Sequence, residues 1–125
     1  MAGTDRFYPG QAPIDAYGNG GFRFAEMSHR GSLLLLPSGI YAWEIRLFDD
    51  LVPGSFERVV AESGAIDFLL LGTGSEQKFP PASLSSSLEL ADVGLEVMDT
   101  GAACRTYNIL LGEERAVAAA LIAVE

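Results

Sequence analysis

Apolar residues change their spacing along this chain, and each change marks an element. Short runs at 14–17 and 22–25 flank Gly18-Asn19-Gly20-Gly21. Asn-Gly supplies the positive φ angles of a tight turn, so the pattern predicts a small β-hairpin. A second hairpin is expected over 32–37 and 40–47 around Ser38-Gly39. In its second arm Tyr41, Trp43 and Ile45 share a face that is larger and more apolar than that of Ile40, Ala42 and Glu44. After Pro53-Gly54 the period becomes helical. Ser55 is placed to cap, Phe56, Val59, Val60 and Ser63 fall at i, i+3, i+4 and i+7, and Gly64 closes the turn.

Phe68-Leu69-Leu70-Leu71 has no polar break, so neither face of the strand at 66–71 can look at water. Such a strand belongs inside a parallel or mixed sheet with helices on both sides. Gly72-Thr73-Gly74 ends it at the edge where these sheets keep their binding crevices. A loop over 73–81 carries Lys78 and Pro80-Pro81. Pro81 opens a second helix with Leu84, Leu88 and Ala91 on one face and Gly94 as its stop. A short strand at 95–98 follows. Asp99-Thr100 then start a third helix, running through Leu111, with Ala103, Tyr107, Leu110 and Leu111 inward. The segment 116–124 is apolar on every side; alanine favours helix, but nine residues with no polar face read as a buried strand. Residues 1–13 read as a loose lead-in punctuated by Pro9-Gly10 and Pro13. This order predicts one α/β domain over 1–125, with a mixed sheet of about five strands, helices on both faces and the small N-terminal β-hairpin.

Composition narrows the function. A chain of 125 residues buries one sizeable core. A net charge of −9 argues against nucleic acid, whose phosphates need a basic surface. One cysteine makes no internal disulfide and fits a reducing compartment. The start shows neither a signal peptide nor an Arg-rich presequence, and no apolar run approaches the ~20 residues that span a bilayer. The expectation is a cytoplasmic protein with at most peripheral membrane association.

Gly72-Thr73-Gly74 follows a strand as a dinucleotide fingerprint would, but Gln77 stands where the third glycine belongs. Pro80-Pro81 delay the helix whose amides would face a pyrophosphate. No P-loop lysine follows either. Lys78, the only lysine, keeps an anion site at this edge as an alternative. Asp99 and Thr100 reach the same edge if the strands at 66–71 and 95–98 are parallel neighbours, although capping the helix is their simpler role. His29, read as part of a turn, and Cys104, read as a small buried hydrophobe, have no positioning motif. One histidine and one cysteine do not make a metal site. Asp49-Asp50 and Glu113-Glu114 fall at turns, where solvated charge explains them. No catalytic residue, metal or cofactor is expected. Trp43, Tyr41, Phe22, Phe24 and Phe79 are either core or interface aromatics.

Phe68-Leu-Leu-Leu-Gly72-Thr73-Gly74, the later Pro80-Pro81 and the segment from Glu96 through Asp99-Thr100 to Thr106-Tyr107-Asn108 resemble a family of small domains. That family has bacterial and archaeal members of unknown function and includes mitochondrial NADH dehydrogenase (complex I) assembly factor 3. Residues 14–22 and Trp43 also fit its pattern, and the resemblance covers about residues 12–124. It implies a three-layer α/β/α fold and a non-catalytic protein-interaction module assisting assembly of a respiratory, complex I-like inner-membrane complex. Its partner would be an assembly factor or a respiratory subunit. The motif positions Gly72, Thr73, Gly74, Asp99, Thr100, Thr106, Tyr107 and Asn108 are then the binding candidates. The alternative is a binding protein or enzyme for a small anionic or nucleotide-like ligand near Gly72–Gly74 and Asp99. A homodimer through an exposed hairpin edge is a further expectation.

Overall fold

A computed structural model describes residues 6–125. The strands are β1 (Arg6–Pro9), β2 (Ile14–Gly18), β3 (Gly21–Phe24), β4 (Met27–Arg30), β5 (Ser32–Leu36), β6 (Gly39–Trp43), β7 (Phe68–Gly72), β8 (Gly94–Met98) and β9 (Val117–Leu121). The helices are α1 (Glu57–Ala61), α2 (Ala82–Leu90) and α3 (Thr100–Gly112). Six strands make a mixed sheet in the order β1-β6-β5-β9-β7-β8, and β2-β3-β4 make a separate antiparallel sheet. β9 sits in the middle, antiparallel to β5 and parallel to β7.

The unbroken apolar runs become the inner strands. β5 and β9 are buried along their whole length, as is β7 after Phe68. Alternate side chains then feed two cores. Leu34, Leu36, Leu69, Leu71, Ala118 and Ala120 meet Phe56, Val59 of α1 and Leu88 of α2 on one face. Leu33, Leu35, Leu70, Val117, Ala119 and Leu121 meet Ala103, Cys104 and Tyr107 of α3 on the other, together with Ile14, Phe22 and Phe24 of the small sheet. The alanines of β9 let layers approach from both sides, which is why this segment is strand despite its helix propensity.

Several expectations need correction. The main sheet has six strands, not about five, because residues 6–9 of the supposed lead-in pair antiparallel with β6. Residues 1–5 of that lead-in lie outside the described residues. The N-terminal hairpin is a three-stranded sheet: residues 27–30, read as a turn around His29, pair with β3 through Phe22 opposite His29. Its first turn does use Asn19 and Gly20 at φ 53° and 80°.

The helix expected after Ser55 is broken up. Residues Pro53–Phe56 and Ser63–Ala65 are 3-10 turns around a five-residue α1. The Ser55 hydroxyl accepts the Val52 N–H at 2.9 Å, bracing the turn it lies in instead of heading a long helix. Gly64 is not the left-handed stop. Gly94 does not end α2 either; the chain reverses at Asp92 (φ 63°), and Gly94 opens β8. Trp43 is core: it is buried against Phe56, and its indole N–H donates to the Ser55 carbonyl at 3.1 Å.

Candidate functional site

The C-terminal end of β7 meets β8 on one side and β9 on the other. Between β7 and β8 the two connections leave toward opposite faces, the arrangement that leaves a crevice in open α/β sheets. Here it is filled. Thr100 is fully buried at the start of α3, and its hydroxyl accepts the Gly74 N–H at 2.9 Å while donating to the Ile122 carbonyl at 2.7 Å. The Thr100 amide donates back to the Gly74 carbonyl, and the Thr73 amide to that of Met98. A Cβ on Gly72 would lie 3.0 Å from Thr100 Cα, so glycine is what admits this contact. Gln77 closes the outer side by donating to the Val97 carbonyl at 2.9 Å.

Asp99 caps α3, accepting the Ala102 N–H at 2.9 Å. The Tyr17 hydroxyl lies over Gly101 in the first turn, where an added Cβ would be 2.4 Å from it. The helix start is therefore occupied by the protein's own groups.

Between β7 and β9 the strands diverge. Past Gly72 the first bends toward Met98 and Thr100. Past Leu121 the other bends toward Ser32, whose hydroxyl accepts the Ala123 N–H, and toward Gly20, whose amide donates to Val124. The gap is a cleft of about 440 Å³. Its walls bring Arg46, Leu47, Phe48 and Asp49, from the segment after β6, together with Thr73–Glu76, Lys78 and the exit of β9. The floor is pinned: the Thr73 hydroxyl donates to Glu76 O and accepts the Lys78 N–H at 3.1 Å. The Lys78 ammonium sits 5.9 Å from the centre of the Phe48 ring.

Of the sequence candidates, Thr73 and Gly74 line this cleft. Gly72, Asp99 and Thr100 belong to the filled junction. Thr106, Tyr107 and Asn108 lie further along α3, where the last two clamp the N-terminal segment. The Asn108 amide pairs with both backbone groups of Ile14 at 2.8 Å, and the buried Tyr107 hydroxyl donates to Ala12 O at 3.1 Å. Gln11 adds a bond to Val117 O at 2.8 Å. Burial pushes the Tyr107 phenol well above its usual range. Sequence reasoning missed Arg46, Leu47 and Phe48, because nothing local separates them from an ordinary surface segment.

Burial pushes the Cys104 thiol up to about 12 against the opposing charge of Arg105, so it stays a thiol at neutral pH. His29 lies on β4 with its ring centre 4.6 Å from that of Phe7. Among the described residues no three His, Cys, Asp or Glu side chains converge as metal ligands, and no helix is long and apolar enough to cross a membrane.

Comparison with known proteins identifies the family. An uncharacterised protein of Rhodobacter capsulatus is 40% identical over 122 residues, covering 98% of this chain and 93% of its own length. NADH dehydrogenase [ubiquinone] 1 alpha subcomplex assembly factor 3 of Mus musculus is 29% identical over 115 residues, which are 92% of this chain but only 62% of the mouse protein. A crystal structure described as an outer membrane protein of Bartonella henselae superposes with a TM-score of 0.87 at 51% identity, covering 94% of this chain and 99% of that one. Residues 14–122 match the family model described as protein of unknown function (DUF498/DUF598). The chain belongs to that family, which also takes in the mitochondrial complex I assembly factors.

Proposed function

We propose that this domain is a non-catalytic protein-interaction module that assists assembly of a complex I-like respiratory complex, gripping its partner at the cleft between β7 and β9. The observation that carries the site is a pair of large apolar side chains left in water. Leu47 on the cleft wall is 67% exposed, and Phe79, next to the cleft-lining Lys78, is 70% exposed. Exposed apolar groups beside a concave, hydrogen-bonded floor are what protein interfaces bury first. The similarity to assembly factors over most of this chain supports the biological role.

The test is capture of the tagged domain's partners from cells, with wild type beside a Leu47→Ser/Phe79→Ser variant. Wild type should recover respiratory-complex subunits or assembly factors, and the variant should lose them at least tenfold with an unchanged unfolding midpoint. Recovery of no such protein, or equal recovery by the variant, overturns the proposal.

A second reading, a small anionic or nucleotide-like ligand, is favoured by Arg46 and Lys78 in a cleft of small-molecule size. Asp49, Glu76 and Glu125 on the same walls count against it. A thermal-shift screen of nucleotides and phosphorylated metabolites separates the two. A stabilisation lost in Lys78→Gln moves the assignment to the ligand.

A further inference from the structure

The two outer strands of the main sheet are protected very differently. β1 carries Pro9 and a register irregularity between Arg6 and Tyr8, devices that discourage pairing with another chain. β8 is an unbroken five-residue ladder against β7, from Phe68 opposite Gly94 to Gly72 opposite Met98. The Gly94 amide donates to Asp67 O and the Met98 carbonyl accepts from Thr73. In a parallel ladder, residues 94, 96 and 98 therefore point their backbone groups at β7, and Leu95 and Val97 point theirs away. The Gln77 bond to Val97 O confirms this direction and takes up one of those groups. The Leu95 N–H and C=O and the Val97 N–H form the remaining row.

We propose that this edge accepts an extended segment of a partner protein as a seventh strand, and that the segment is apolar on one face and basic on the other. The two faces of β8 set that chemistry. Leu95 and Val97 pack onto the core beside α1 and α2, so an added strand would extend an apolar surface there. Glu96 projects to the α3 side and is exposed, with Glu89 and Asp92 exposed on the approach to the strand. Backbone pairing supplies affinity, while alternate side chains supply selectivity. A second copy is the poorer occupant: antiparallel pairing of β8 about Glu96 would set that carboxylate against its own copy, in a chain of net charge −9. Gln77 acts as a guard that the incoming strand displaces from Val97.

The experiment titrates the full chain with a capped peptide of alternating valine and lysine, and with its valine–glutamate counterpart, following backbone amides by NMR. The Leu95 and Val97 amides should shift and gain protection from exchange. The lysine peptide should bind at least tenfold more tightly at low salt, Glu96→Lys should invert that preference, and Gln77→Ala should tighten binding severalfold. No binding, shifts confined to the β7–β9 cleft, or a preference unchanged by Glu96→Lys overturns the proposal. Self-pairing through Val97 at rising concentration without peptide overturns the choice of occupant.

Discussion

The same strand end makes two opposite solutions to one problem. Where parallel strands stop, their last amides and carbonyls must find partners. Toward β8 the chain supplies them itself, with one threonine hydroxyl joining the end of β7, the start of α3 and the exit of β9. Toward β9 the strands part, and the walls come from five places in the chain, at Gly20, Ser32, 46–49, 73–78 and 122–125. The first junction spends its polar groups on stability and has none left to offer. The second is anchored from below and left open above. The residues most conspicuous in the sequence hold the frame, and less conspicuous ones face outward.

Breaking the filled junction should have the largest effect. Thr100→Val leaves the Gly74 amide and the Ile122 carbonyl without partners, and chemical denaturation should show a loss of about 2–4 kcal/mol, with Thr100→Ser largely spared. Gly72→Ala forces a methyl against Thr100 Cα and the Leu121 side chain, both about 3 Å away, and should cost roughly 1–3 kcal/mol. On the open side, Leu47→Ser with Phe79→Ser should change stability by less than about 0.5 kcal/mol while abolishing partner capture. If stability fell as far there as at Thr100, the contrast between the two sides would fail.

The smallest effect concerns His29, which lies on β4 and lines neither the junction nor the cleft. Burial lowers its pKa below 6.5, with a backbone hydrogen bond at Ser32 opposing. The folded state then binds fewer protons than the unfolded chain, so the histidine should cost stability as pH falls from about 6.5 through its folded value. Denaturation at pH 7.5 and pH 5.5 should show a modest decline, and the slope should flatten in His29→Gln.

What the sequence revealed follows from physics local to a segment. Leu69–Leu71 and 117–122 cannot be solvated on either face, so these two inner strands could be read directly, while Leu33–Leu36 was expected only as a hairpin arm. Asp99 was legible as a cap because capping needs only the next three residues. β1 was hidden because Arg6–Pro9 is only four residues long and ends in a proline, and β4 because Met27–Arg30 is mostly polar; both gain strand structure only from their neighbours. The stripe from Phe56 to Ser63 suggested a longer helix than Pro53 and the surrounding turns allow. At the site, Thr73 and Gly74 could be found, while Arg46, Leu47 and Phe48 become neighbours of that loop only once the sheet has formed. Thr106-Tyr107-Asn108 stood out as a motif, but it carried no sign that its second and third members grip the backbone at Ala12 and Ile14.

The central place of β9 has a consequence for biosynthesis. Residues 117–121 form the last strand in chain order, yet they separate the β1-β6-β5 ribbon from the β7-β8 pair. On a ribosome those two pieces would wait side by side with oily flanks uncovered until the closing stave emerged. Contacts this distant in sequence form slowly, so a nascent chain stalled before residue 117 should be a substrate for chaperones and proteases.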